Sequence, residues 1–110
     1  MDIKVEIKSL DNKKQVFIEG EIDVYTAQKL KETLHPLAEG ENPHVIINLE
    51  HVSYMDSTGL GVFIGFLKLI RKKDGQLSLV QLSERLERLF RITGLNDIID
   101  ISSKSEGEVQ

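Results

Sequence analysis

Val45-Ile46-Ile47-Asn48-Leu49 constrains the fold of this chain more than any other stretch. Five residues, nearly all apolar and mostly β-branched, favour an extended strand. With no polar alternation, such a strand reads as a central one, buried on both faces. A sheet is therefore expected around it. Ile3, Val5 and Ile7 alternate with Lys4, Glu6 and Lys8, a period of two that predicts a strand with one wet face. Asp11-Asn12-Lys13 reads as a turn, and Val16-Phe17-Ile18 as a second strand ending at Gly20, which predicts a hairpin. Leu77-Ser78-Leu79-Val80 and Ile98-Ile99-Asp100-Ile101 supply a further strand and a short last one.

Helical spacing separates these strands. Ala27, Leu30, Leu34 and Leu37 share one face, with Thr26 as the expected cap, Gly40 beyond the end and Pro36 bending or ending the helix. Asp56 to Arg71 forms a second helix, with Lys68, Arg71, Lys72 and Lys73 near its end, where positive charge suits the dipole. Asp74-Gly75 breaks it. Ser83 caps a third helix that places Leu86, Leu89 and Phe90 on one face and stops at Gly94. The order ββαβαβα(β) predicts an α/β fold: a mixed sheet of four to five strands with helices packed against it. The long crossovers suit parallel pairing in the second half.

A chain of 110 residues fits one domain, here taken as 1–102, with 103–110 a polar tail. Forty per cent hydrophobic residues are enough for a single core. A net charge of -4 argues against nucleic acid or anionic lipid as partner. With no cysteine, disulfides and thiolate metal sites are excluded, and a reducing compartment fits. His44 and His51 lack the spaced partners a metal site needs. The apolar run from Leu60 to Leu67 is far short of the ~20 residues of a membrane helix. The expectation is a soluble, cytoplasmic protein with no bound cofactor or metal.

The most reactive-looking stretch is Tyr54-Met55-Asp56-Ser57-Thr58-Gly59-Leu60-Gly61, where strand hands over to helix. Gly59, Gly61 and Gly65 lie inside the predicted second helix, each costing roughly 0.5–1 kcal/mol relative to alanine. They let the helix lie close to the sheet, or to a partner's surface. A dinucleotide fingerprint would need its first glycine in the turn itself, and Val52 to Asp56 intervene here. A small nucleotide-binding domain is thus the alternative from a different functional class. A serine hydrolase would need a general base, and in the elbow-type enzymes the histidine comes last. His35, His44 and His51 all precede Ser57.

Asp56 is a good helix cap through its carboxylate. Ser57 then takes the first helical position, and Thr58 is turned about 100° from it. Ser57 can be a mere helix starter or a phosphate acceptor. A phosphate brings about −1.5 to −2 charges, which a helix N-terminus favours. A partner docked over that helix end would not tolerate it so easily.

Three segments carry a family resemblance: Gly20-Glu21-Ile22-Asp23-Val24-Tyr25, Val52 through Gly61, and Leu82 through Leu95. Together they resemble STAS domains, and among these the anti-sigma factor antagonists, over about Ile3 to Ile101. The resemblance implies a single STAS domain without enzymatic activity of its own. Its unphosphorylated form would bind an anti-sigma factor that is also a serine kinase and so release a stress-response sigma factor. Phosphorylation of Ser57 would inactivate it, with Thr58 a possible secondary site, and a PP2C-type phosphatase would restore it. Asp23 matches the family's acid near the phosphoserine, where it helps kinase docking or caps the first helix. Val24, Tyr25, Thr26, Tyr54, Met55, Asp56, Gly59 and Gly61 would complete the partner-binding rim. Tyr25 and Tyr54 suit such a rim because aromatics with a polar tip are enriched at interfaces.

Overall fold

The computed structural model describes residues 2–103. Strands β1 (Ile3–Leu10) and β2 (Lys13–Ile22) form the hairpin, followed by α1 (Ala27–Leu34). Then come β3 (His44–Met55), α2 (Ser57–Lys72), β4 (Gln76–Val80), α3 (Glu84–Ile92) and β5 (Asp100–Ile101). A 3-10 turn at His35–Ala38 ends α1, with Pro36 in its opening positions as its fixed φ requires. A second, Leu95–Asp97, follows Gly94, which takes the left-handed φ of 77° and stops α3. The Ser83 hydroxyl caps α3 by accepting the Leu86 amide at 3.2 Å.

The sheet order is β1-β2-β3-β4-β5, antiparallel between β1 and β2 and parallel thereafter. Each crossover therefore steps the same way across the sheet. Right-handed crossovers that never reverse direction put all three helices on one face. The core agrees. Val16, Ile47 and Leu79 line up across β2, β3 and β4 and join one cluster with Leu30, Leu34, Phe63, Phe66, Ile70, Leu86 and Phe90.

The other face has no helix. Gln15, Phe17, Ile46, Asn48, Ser78 and Val80 alternate with the core residues and so point there. Ile46 is nonetheless buried in the sheet centre, so β3 is buried on both sides near its start although helices cover only one. The strand also outruns its apolar segment. Glu50, His51, Ser53 and Tyr54 are exposed and break the pattern, while Val52 and Met55 still face the core. Ladder pairing with β2 as far as Ile22 opposite Met55 keeps the backbone extended across that polar stretch.

Asp2 anchors the start of β1. Its carboxylate accepts the Ile3 amide at 2.8 Å and the Lys29 ammonium at 3.2 and 3.3 Å. Lys29 also donates to the Ile3 carbonyl at 2.8 Å. The Ile3 amide first, and then the Lys29 charge, hold the Asp2 carboxyl below its ordinary pKa. Among the described residues no helix is long and apolar enough to cross a membrane. The polar tail expected at 103–110 lies outside the described residues except for Ser103.

Phe63 is fully buried where α2 meets the sheet. Phe63→Ala is expected to lose about 3–5 kcal/mol, a large part of the roughly 5–15 kcal/mol available to a domain. Urea denaturation followed by circular dichroism should show a steep fall in midpoint. An unchanged midpoint would contradict this placement of α2.

Candidate functional site

Met55 is the last residue of β3 and Ser57 the first of α2, so a single residue, Asp56, makes the handover. Asp56 is extended (φ −111°, ψ −171°), and its carboxylate accepts the amides of Thr58 at 3.0 Å and Gly59 at 3.2 Å. Its own amide donates to the Ile22 carbonyl at 3.3 Å, and its carbonyl accepts the Leu60 amide at 3.1 Å. Two of the helix's orphan donors are thus satisfied by one side chain. Ser57 is exposed, and its hydroxyl forms no hydrogen bond to another described residue. It stands at the positive end of a sixteen-residue helix whose first turn contains no acidic residue.

The neighbouring loop is held as tightly. The Asp23 carboxylate accepts the Tyr25 amide at 2.9 Å and the Thr26 amide at 3.1 Å. The Thr26 hydroxyl accepts the Asp23 amide at 3.0 Å and donates to the Glu21 carbonyl at 2.8 Å. Thr26 therefore does not cap α1 with its side chain, as its position suggested; its hydroxyl instead closes the turn that leads into the helix. The Asp23 carboxylate shares in closing that turn. Val24 and Tyr25 ride at its tip, 64% and 84% exposed.

Because β2 and β3 run parallel, their C-terminal ends bring Asp23 to Thr26 beside Tyr54 to Gly59. Val24, Tyr25, Tyr54, Ser57, Thr58 and Gly61 are exposed in this region, and Asp23 and Asp56 are half-buried. Thr26, at 2% exposure, and Met55, at 6%, lie behind this surface with Gly59, so they shape it from beneath instead of presenting a side chain to a partner.

Gly59 has a packing reason to lack a side chain. A Cβ there would stand 2.7 Å from Ile22 Cγ2 and 2.8 Å from Met55 Cγ. At Gly61 and Gly65 a Cβ would meet nothing within 4 Å. Close approach to the sheet is therefore the work of Gly59 alone, and the other two leave the outer side of α2 bare. They line a groove of about 290 Å³ with Thr58, Val62, Ala27, Gln28, Lys31 and His35. The contribution of Gln28, Lys31 and His35 was not legible in the sequence, since it arises only where α1 lies beside α2. Ile22 was missed too, although it supplies both the carbonyl that holds Asp56 and the wall behind Gly59.

The three histidines sit on other elements than Ser57. His51 faces Glu50 at 3.7 Å on the exposed stretch of β3. His35 lies at the end of α1 and His44 at the opposite end of β3 from Met55. Among the described residues no group of three histidine, aspartate or glutamate side chains converges as a metal-ligand set.

The family model for the STAS domain matches residues 4–107. The chain is 60% identical over 110 residues to the anti-sigma-B factor antagonist of Bacillus subtilis, covering all of both chains. It is 51% identical to the protein of that name from Listeria monocytogenes, over 99% of this chain and 96% of that one. Among solved structures, a candidate anti-sigma factor antagonist from Thermotoga maritima superposes with a TM-score of 0.82 at 28% identity, covering 89% of this chain and 85% of that one. The phosphorylated form of SpoIIAA from Bacillus aligns with a TM-score of 0.72 at 20% identity, over 94% and 93% of the two chains, a likeness of fold.

Gly59→Ala is expected to destabilise by about 1–3 kcal/mol, because the new methyl forces α2 off Ile22 and Met55. Gly61→Ala fills open space in a helix interior and should stabilise by about 0.5–1 kcal/mol. Thermal melts of the two variants should therefore move in opposite directions. A shift of the same sign in both would contradict the seating of the helix.

Proposed function

The chain belongs to the STAS-domain family, and on that premise we propose that it is an anti-sigma-B factor antagonist acting by partner switching. The unphosphorylated protein binds an anti-sigma factor that is also a serine kinase. That binding frees the sigma factor for RNA polymerase and so promotes transcription of the general stress response. The site of action is the cytoplasm, where sigma factor and polymerase meet. The chain has no catalytic role itself: it is the substrate of its partner.

The observation that carries this reading is the exposed hydroxyl of Ser57 at the start of α2, bonded to no other described residue, with Asp56 already satisfying the next two amides. The kinase transfers the γ-phosphoryl group of ATP to Ser57 Oγ. The new O–P bond replaces the bond to ADP, and the serine proton passes to a base of the kinase. The helix N-terminus accommodates the dianion, so the fold survives. Structures of SpoIIAA, a protein of the same fold, are solved in unphosphorylated and phosphorylated forms, which supports that tolerance.

The docked partner is affected differently. A phosphate at the centre of a packed interface must be desolvated, and it adds negative charge beside Asp56 and Asp23. Release of the antagonist returns the anti-sigma factor to the sigma factor. A PP2C-type phosphatase hydrolyses the phosphoserine and resets the switch. Val24, Tyr25 and Tyr54 are the exposed apolar part of the docking rim, and Gly61 permits close approach along α2.

Incubation with the cognate kinase and ATP, followed by phosphopeptide mapping, should place the phosphate on Ser57. Phosphate found only on Thr58, or on neither residue, would overturn the site. Ser57→Ala should retain binding to the anti-sigma factor and resist inactivation. Ser57→Asp should weaken binding at least about tenfold, equivalent to about 1.4 kcal/mol, measured by calorimetry with the anti-sigma factor.

A further inference from the structure

The sheet has one long open edge, along β1. In the β1–β2 hairpin Asp11 and Asn12 form a two-residue connection, with Leu10 opposite Lys13 and Ile3 opposite Gly20. The Ile3 amide donates to the Asp2 carboxylate, and the Ile3 carbonyl accepts Lys29. Antiparallel ladders alternate, so Val5, Ile7 and Ser9, like Ile3, turn their amides and carbonyls away from β2. Asp2 and Lys29 occupy the outward groups of Ile3. Those of Val5, Ile7 and Ser9 form an unpaired edge, and no described segment is paired with it.

We propose that this edge pairs antiparallel with β1 of a second copy, on a two-fold axis through Ile7. That register sets Val5 opposite the partner's Ser9, Ile7 opposite the partner's Ile7, and Glu6 opposite the partner's Lys8, each unlike pair occurring twice. Residues with outward backbone groups then meet one another, as an antiparallel ladder requires. Glu6 and Lys8 fall at the non-hydrogen-bonded positions, where opposing side chains are closest and opposite charges stabilise.

Other registers fail on the same observations. Moving the axis to Glu6 sets Glu6 against Glu6 and Lys4 against Lys8. Moving it to Lys8 sets Lys8 against Lys8. Moving it to Val5 pairs Ile3 with Ile7, and the outward groups of Ile3 are already taken. Lysine on an edge strand usually deters pairing. Here the alternation with Glu6 makes that deterrent depend on register, and of the registers that set Glu6 against a lysine the Ile7-centred one leaves the bonds of Ile3 to Asp2 and Lys29 intact.

Packing favours the same register. Ile7, Val16, Ile47, Leu79 and Ile101 form one row across the helix-bearing face of the sheet. The row is buried along its centre, but Ile7 at its end is 40% exposed. Ile7 against its symmetry mate continues the row through the axis into the second copy and covers both exposed ends. The contact is isologous, so it closes at two chains. Ser57 lies toward the Ile3 end of the sheet, and Ile7 is four residues, roughly 13 Å, further along. Antiparallel pairing therefore sends the two Ser57 sites to opposite ends of a ten-stranded sheet and leaves both open. The inference is independent of the proposed function.

Sedimentation velocity of the full chain over a concentration series tests it. The wild type is expected to show a reversible, concentration-dependent dimer. Glu6→Lys and Lys8→Glu each turn both charge pairs repulsive and should weaken dimerisation at least about tenfold. An equimolar mixture of the two variants should form a heterodimer, because every pair across it is again of opposite sign. Circular dichroism should show both variants folded, since both side chains are exposed. A wild type that stays monomeric at every concentration overturns the proposal. So does a dimer that survives both substitutions, or a mixture that fails to associate when the wild type does.

Discussion

The long parallel pairing of β2 with β3 is the constraint on which the rest of this structure depends. It extends to Ile22 opposite Met55, well past the apolar run that makes β3 a central strand. Two loops distant in sequence are thereby set side by side. One holds Asp23, Val24 and Tyr25; the other holds Tyr54, Asp56 and Ser57. The Asp56 amide bonded to the Ile22 carbonyl is the last link between the strands and the first feature of the helix that follows. Ligand and partner sites in open α/β sheets favour the carboxyl ends of parallel strands, where such loops converge.

The site itself rests on a division of labour among short polar side chains. Asp56 and Asp23 spend their carboxylates on backbone amides, and Thr26 spends its hydroxyl on Glu21. Buried or half-buried polar groups are satisfied locally, and those bonds set the shape of both loops. The Ser57 hydroxyl is bonded to no other described residue. A residue with no structural duty can change its charge without disturbing the fold, which suits a reversible modification. Gly59 contributes by absence, since its missing methyl lets α2 start directly against the sheet.

The unidirectional winding of the sheet has a second consequence. Helices gather on one face, and the opposite face stays open with only its centre buried. Strand β5, with two residues, closes one edge briefly, while β1, with eight, leaves the other long. Asp2 and Lys29 protect the start of that edge and expose the remainder, a partial protection that accords with selective pairing.

Much of this was legible in the residues. The alternation of Ile3, Val5 and Ile7, the run Val45 to Leu49 and the helical spacing around Leu30, Leu34, Leu86 and Phe90 mark period and burial, which are local properties of a chain. Asp56 as a cap and Ser57 as a free first residue follow from local chemistry too. The far end of β3 was not legible, because Glu50, His51, Ser53 and Tyr54 carry no apolar signal and pairing with β2 alone keeps them extended. Nor was the sorting of the rim into exposed Val24, Tyr25 and Tyr54 and buried Thr26, Met55 and Gly59. Which side of a turn faces solvent depends on what packs behind it, and here that is Ile22, brought up by a strand distant in sequence. The sequence by itself thus determined the elements, the cap and the candidate hydroxyl, since each depends on neighbours along the chain. Tertiary structure alone decided which glycine touches the sheet, which face lies bare and which edge stays open, since each depends on neighbours in space.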